Sequence, residues 1–110
     1  MYRFNHVNLT VNDVPGCTDL FERCFAFKVT ERLGNGKFSV LEGEDGFILI
    51  LMHGKDGVHT TYPPLFHVGF LVADQESVRA TYQRIKIAGY EPPVPAILER
   101  GGEPRSASIM

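Results

Sequence analysis

The sequence predicts an α+β protein made of two copies of one β-α-β-β-β module. Residues 4–13 and 65–74 match each other along their length, so that His67 lies 61 residues after His6. Both segments alternate between two faces, as strands do, and each is followed by apolar residues at helical spacing. Because each copy needs the other to bury a shared face, we expect a single domain over residues 1–110.

The first predicted strand covers residues 6–11. Its side chains alternate strictly, with His6, Asn8 and Thr10 on a polar face and apolar residues on the other. An apolar strand face needs a covering layer, which predicts that a helix packs against it.

That helix follows directly. Asp13 is the expected N-cap and Pro15 fits the first turn, where its missing N–H has no helical partner. The apolar residues then recur at helical spacing: Val14, Cys17, Leu20, Phe21, Cys24 and Phe25. The two cysteines lie about two turns apart, too far for a disulfide.

Three further strands complete the first module, at residues 27–33, 37–41 and 47–53. The turn Gly34-Asn35-Gly36 separates the first two, since glycine and asparagine accept the left-handed backbone of a tight hairpin. The first module therefore spans about residues 1–53. Residues 54–64, rich in Gly, Pro and Thr, are the predicted linker.

The second module, about residues 65–110, begins in the same order. A strand at 67–72 carries His67, Gly69 and Leu71 on one face, and a helix capped by Asp74 follows it. A strand broken by prolines and a last strand at 105–110 come next. No counterpart of the strand at 47–53 follows, so we expect the last strand of the second module to be missing.

A missing last strand leaves the backbone edge of residues 105–110 unpaired. Unpaired strand edges readily pair with another chain. The sequence therefore predicts a homodimer, or a partner chain that supplies the strand.

Composition excludes several classes of partner. The chain has 11 basic and 13 acidic residues and a net charge of −2, which offers no field to attract nucleic acid. Its longest apolar stretch, residues 47–52, is far below the roughly 20 residues that cross a bilayer. The first residues lack the apolar core of a signal peptide. We expect a cytoplasmic protein with no nucleic-acid or membrane partner.

Three segments resemble the vicinal oxygen chelate superfamily, which contains glyoxalase I, bleomycin-resistance proteins, fosfomycin-resistance transferases and extradiol dioxygenases. They are the strand at residues 4–13, the helix end and its Phe25-Ala26-Phe27 exit, and the strand at 66–72. The resemblance implies two modules whose mixed sheet curls into an open, glyoxalase-like barrel, with helices outside and a ligand cavity within. The residues implied to line that cavity are Asn8, Thr10, Ile50, Gly69 and Leu71.

The resemblance also implies a metal site. His6 and His67 match the histidines that bind metal on the first strand of each module, and these are implied to lie close together. Imidazole suits Fe, Mn, Zn, Ni or Co. Related metalloproteins add a Glu or Gln from a fourth strand, but the matching position near Ile50 is apolar, and its second-module counterpart would lie beyond Met110.

Two functions stay open. The first is a metal-assisted enzyme of lyase, isomerase or dioxygenase type, acting on a substrate with adjacent oxygens. Glu42, near the end of the third strand, is the candidate catalytic base, although it also fits an exposed carboxylate beside a turn. The second is a bleomycin-resistance-like protein that sequesters a small molecule without metal, which the apolar Ile50 favours.

Overall fold

The first half of the chain folds in the predicted order. In the computed structural model, β1 spans His6–Val11, α1 Val14–Cys24, β2 Lys28–Leu33, β3 Phe38–Glu42 and β4 Ile48–His53. Asp13 is the N-cap of α1, and its carboxylate accepts a hydrogen bond from the Gly16 N–H at 3.0 Å. The β-α-β-β-β order predicted for the first module is confirmed.

The structure describes residues 1–90 together with the backbone of three two-residue strands, at 99–100, 103–104 and 108–109. The chain divides into two units, Met1–Thr61 and Tyr62–Met110. Each unit is described by itself below.

The four strands of the first unit form one mixed sheet in the order β1-β4-β3-β2. β1 runs parallel to β4, with His6 opposite Ile48, and the remaining neighbours are antiparallel. The sheet is open, since β1 and β2 are its two edges. The predicted α+β class and mixed sheet are confirmed, and they fit a glyoxalase-like fold.

Helix α1 covers one face of this sheet. Leu41 and Leu51 are fully buried at 0% exposure, and Leu49 beside them is also buried. The helix contributes Val14, Phe21 and Cys24 to the same core. Burial of each leucine side chain contributes roughly 1.5–3 kcal/mol, so this face supplies much of the stability of the unit.

Helix α1 ends in a left-handed residue. Ala26, directly after the C-cap Phe25, has a φ of 58°, and the Phe27 N–H donates to the Phe21 carbonyl at 3.2 Å. Glycine is the usual residue at this place, because a Cβ is strained there. Ala26 occupies the middle of the Phe25-Ala26-Phe27 exit noted in the sequence.

The second unit contains β5 at Val68–Gly69, α2 at Gln75–Ile87, β6 at Glu99–Arg100, β7 at Glu103–Pro104 and β8 at Ser108–Ile109. β5 pairs antiparallel with β8, and β6 pairs antiparallel with β7. Asp74 caps α2 as predicted, accepting from the Ser77 N–H at 2.8 Å. No helix in the described part of the chain is long and apolar enough to span a membrane.

The second module differs from the prediction in the length of its first strand. Alternation predicts a strand at 67–72, whereas the strand β5 spans Val68–Gly69, the two residues that have a partner among the described residues. His67 lies just before it. The predicted last strand at 105–110 contains β8, while the proline-broken strand after Tyr90 falls largely outside the described residues.

Candidate functional site

The face of the first sheet opposite α1, called the open face here, carries the polar residues predicted from β1. Strand register places His6 opposite Ile48, and Ile48 opposite Glu42. Adjacent strands lie about 4.8 Å apart, so the Cα atoms of His6 and Glu42 are about 10 Å apart across Ile48. The row therefore has the His6 imidazole at one position and the Glu42 carboxylate at another, with the apolar side chain of Ile48 between them.

Two further rows of the open face are mainly apolar. Asn8 lies beside Ile50, which lies beside Val40, and Thr10 lies beside Met52, which lies beside Phe38. The apolar members are half-buried rather than buried. In the first unit the centre of the open face is thus mainly apolar. Polar side chains lie along the β1 edge, and Glu42 lies on β3.

His6 and Glu42 are both exposed. Within the described residues neither side chain has a hydrogen bond or salt bridge. Lys28 on β2 lies opposite Glu42, so the row ends in a cation. An imidazole and a carboxylate without protein partners can both bind or exchange a proton with a small molecule.

The segment after β4 borders the Thr10 end of the open face, where Asn12 holds it. The Thr60 N–H donates to Asn12 Oδ1 at 2.7 Å, and Asn12 Nδ2 donates to the Thr60 carbonyl at 2.9 Å. We call this pair of bonds the Asn12 clamp. A Cβ on Gly54 would meet Thr60 Oγ1 at 2.7 Å and Thr10 Cγ2 at 3.2 Å, so the close approach of this segment requires glycine.

No sequence pattern pointed to Asn12. The repeat drew attention to residues shared by the two modules, and the counterpart of Asn12 at the same offset is Ala73. An asparagine at the end of a predicted strand was the available signal, and its proximity to Thr60 follows only from the pairing of β1 with β4.

In the second unit, His67 is oriented by its own backbone. Its Nδ1 lies 3.0 Å from the Leu65 carbonyl oxygen, two residues earlier. A carbonyl only accepts hydrogen bonds, so Nδ1 carries the hydrogen and the lone pair of the neutral ring is on Nε2. The other residues predicted for this unit are Gly69, which lies in β5, and Leu71, which is 71% exposed.

Each imidazole by itself offers a nitrogen donor of the kind that divalent metals accept. His67 has the arrangement typical of a metal ligand, with one ring nitrogen bound to a carbonyl and the other free. Ile50 does not fit, since its side chain has no donor atom. Among the described residues no three His, Cys, Asp or Glu side chains come together to hold a metal ion.

The open mixed sheet and the helix that covers one of its faces define the class of the protein as α+β. The chain matches the model of the Glyoxalase/Bleomycin resistance protein/Dioxygenase superfamily over residues 3–100. It belongs to this superfamily, as the resemblance of its three segments implied.

Solved structures agree with this assignment. A possible glyoxalase from Bacillus cereus is 34% identical, with a TM-score of 0.76, and the match covers 100% of this chain and 99% of that one. A fosfomycin resistance protein from Listeria monocytogenes, in complex with Mn(II) and 1S,2S-dihydroxypropylphosphonic acid, is 21% identical, with a TM-score of 0.64 and coverage of 94% and 80%.

A lactoylglutathione lyase from Agrobacterium tumefaciens is 16% identical, with a TM-score of 0.63, and the match covers 98% of this chain and 90% of that one. At these identities it and the fosfomycin resistance protein show the shared fold alone. None of the curated proteins compared matches the chain.

Proposed function

We propose that this protein binds a small molecule against the open face and acts on it as a metal-assisted enzyme of the lyase or isomerase type. The observation that carries the proposal is the row formed by His6, Ile48 and Glu42. It combines a ligand-type imidazole, an apolar contact and a carboxylate across three adjacent strands. The substrate class is a small molecule with adjacent oxygens.

The residues of the row have different roles in this proposal. Ile48 and the neighbouring Ile50 contact the carbon part of the molecule, and burial of that part excludes water from the open face. Glu42 is exposed and has no partner among the described residues, so its carboxylate can take a proton from the bound molecule. Asn8 donates hydrogen bonds to the oxygens of the bound molecule, and Thr10 lies on the same face of β1.

His6 and His67 are the proposed ligands of a divalent metal. The free Nε2 of His67 supports this role, as does the Mn(II) bound by the fosfomycin resistance protein of the same fold. Such a metal supplies Lewis acidity that stabilises negative charge on a substrate oxygen. Fe, Zn, Ni or Co suits the same imidazole ligands.

Metal content tests this proposal. Protein purified without a histidine tag is analysed by mass spectrometry, and Mn²⁺ and Zn²⁺ are titrated calorimetrically. We expect about one metal ion per chain, and we expect His6→Ala and His67→Ala to weaken binding at least about tenfold. The control is His59→Ala, which removes an exposed histidine that is not a proposed ligand. Equal binding by all four proteins, or none by the parent, contradicts the metal role.

The role of Glu42 is tested separately. With a panel of dicarbonyl, hemithioacetal and epoxide substrates, Glu42→Gln should lower kcat by about 10²–10⁴-fold and leave metal binding unchanged. The control is Glu44→Gln, which changes an acid in the adjacent turn. If both variants keep the parental activity, Glu42 is not the base.

A second function is favoured by Ile50. Its apolar side chain stands where the resemblance implies a metal ligand, and its row neighbour Val40 extends the apolar surface. These features support a protein that sequesters a bulky apolar or aromatic molecule without metal, as bleomycin-resistance proteins do. Thermal shift separates the two functions, since a sequestering protein is stabilised by such compounds and is indifferent to chelators.

The substitution Ile50→Glu should change the affinity for metal and the affinity for apolar compounds in opposite directions. It places a carboxylate one row from His6, which should strengthen metal binding and weaken the binding of apolar compounds. Ile50→Leu is the matched control and should change neither. A variant with unchanged affinity for both probes excludes this position from the site.

A homodimer is the proposed assembly. The proposal is supported by β1 and β2, the edge strands of the first sheet, since strand edges readily pair with another chain. Light scattering on the purified chain tests it, and a stable monomer at high concentration contradicts it.

A further inference from the structure

The five residues before His67 form a braced turn. The Phe66 N–H donates to the Pro63 carbonyl at 2.9 Å, which closes a β-turn with Pro64 at its second position. Proline presets the backbone angle that this position requires. The turn is therefore ordered by its own sequence, independently of the strands that follow.

Two aromatic rings flank this turn and pack on each other. The rings of Tyr62 and Phe66 are stacked, with centroids 4.5 Å apart and planes 14° from parallel. The stack joins Tyr62, which precedes the two prolines, to Phe66, which follows Leu65. It restricts the backbone between them, including the Leu65 carbonyl.

That carbonyl is the hydrogen-bond partner of His67. The distance from Nδ1 to the Leu65 oxygen is 3.0 Å, and the His67 side chain is otherwise exposed. In the described part of the chain Nε2 has no partner. A neutral imidazole in water exchanges its hydrogen between the two nitrogens, and a fixed acceptor at Nδ1 selects one form.

We propose that the turn Tyr62–Phe66 is a positioning element that holds His67 with its hydrogen on Nδ1 and its lone pair on Nε2. The inference rests on the proposed function, in which His67 Nε2 binds a divalent metal. The turn then does two things: it selects the tautomer that can bind through Nε2, and it fixes the direction of the ring. Phe66 and Tyr62 act through the Leu65 carbonyl and do not contact the metal.

The chain supplies its own references for a test by ¹⁵N NMR of the imidazole nitrogens. Of its four histidines, His53 also has Nδ1 near a carbonyl, that of Gly54 at 2.8 Å, while His6 is exposed and has no partner among the described residues. The spectra are recorded about two pH units above 6.5, which is about the usual pKa of a free imidazole. We expect His67 to resemble His53, with a protonated Nδ1, and to differ from His6.

Variants of the turn test the cause. Phe66→Ala removes the stack and Pro64→Gly relaxes the turn, and either should shift the His67 tautomer ratio toward that of His6 by about two- to tenfold. Phe66→Tyr and Tyr62→Phe keep the stack and should leave the ratio unchanged. Circular dichroism of each variant reports whether the helices are folded, and the His53 signals report whether the first unit, which carries no substitution, is unchanged.

The outcomes separate the two proposals. A His67 ratio like that of His6 in the parent protein, or a ratio that Phe66→Ala and Pro64→Gly leave unchanged, overturns the positioning role. A titration with Zn²⁺ follows, in which Phe66→Ala should bind about tenfold more weakly than Phe66→Tyr. If the parent binds no metal while the tautomer results hold, the metal role fails and the positioning role stands.

Discussion

The hydroxyl oxygens of Thr18 and Ser39 lie 3.0 Å apart at the buried interface between α1 and the sheet. Thr18 is 0% exposed and Ser39 2%, so neither reaches water. Thr18 Oγ1 also lies 2.6 Å from the Val14 carbonyl, which takes its single hydrogen. Ser39 therefore donates to Thr18, and this buried polar pair is satisfied internally.

Removing one member of this pair should destabilise the protein. Thr18→Val keeps the side-chain shape but leaves the Ser39 hydroxyl without its partner, which costs about 1–3 kcal/mol of unfolding free energy. Adding Ser39→Ala should recover part of the loss. Urea unfolding measures the free energy of unfolding of Thr18→Val and of the double variant. Thr61→Val, at an exposed hydroxyl that has no hydrogen bond among the described residues, is the control and should change stability by less than about 0.5 kcal/mol.

Ala26→Gly should stabilise the first unit. The φ of 58° at Ala26 is strained for a residue with a Cβ, and the relief exceeds the added chain entropy by about 0.5–1 kcal/mol. The midpoint of urea unfolding should rise. Ala80→Gly, within α2 and exposed, should instead lower it by about 1 kcal/mol. A lower midpoint for Ala26→Gly contradicts the assigned backbone conformation.

Asp74 should make α2 sensitive to acid. Its hydrogen bonds from the Ser77 backbone and then from the Ser77 hydroxyl lower the pKa of the carboxyl below the usual 3.8. A lowered pKa means that the stabilisation is present above pH 3.8 and is lost as the pH falls through the lower value.

The substitution Asp74→Asn tests this dependence. Asparagine keeps a cap acceptor but does not titrate, so the parent should be more stable than the variant at neutral pH, and the difference should vanish in acid. Thermal unfolding followed by circular dichroism from pH 6 down to pH 2 measures it. Glu76→Gln removes a charge from the same turn and should preserve the dependence.

The Asn12 clamp should hold the segment that leads out of the first unit. Asn12→Ala removes both bonds to Thr60, and amide exchange at Thr60 should accelerate by about tenfold or more. Asn12→Asp keeps the acceptor and loses the donor, so an intermediate rate is expected. If Thr60 exchanges equally fast in all three proteins, the clamp does not restrain this segment.

Local patterns in the sequence predicted the first module well. The bounds of β1 follow from strict alternation, and α1 begins after Asp13 because the cap lies next to the helix that it stabilises. The extent of β5 could not be predicted in the same way. A strand exists where it has a partner, and alternation at residues 67–72 does not say which residues find one.

The candidate site was predicted in part. Alternation assigns His6, Asn8 and Thr10 to one face, and the repeat draws attention to His67. Neither pattern gives the register between strands. That His6 and Glu42 share a row could be seen only from the observed pairing of β1 with β4 and of β4 with β3. The orientation of His67 depends on a hydrogen bond that no sequence pattern specifies.

The position of β1 at the edge of its sheet bears on the order of assembly. In the first unit β1 pairs with β4, and His6 meets Ile48 across 42 residues of chain. Local hairpins close faster than contacts over such a separation, so β2, β3 and β4 should associate before β1 is added. During synthesis β1 leaves the ribosome before β2, β3 and β4, yet it should be the last of these strands to join the sheet, and the row with Glu42 should be complete only after that step.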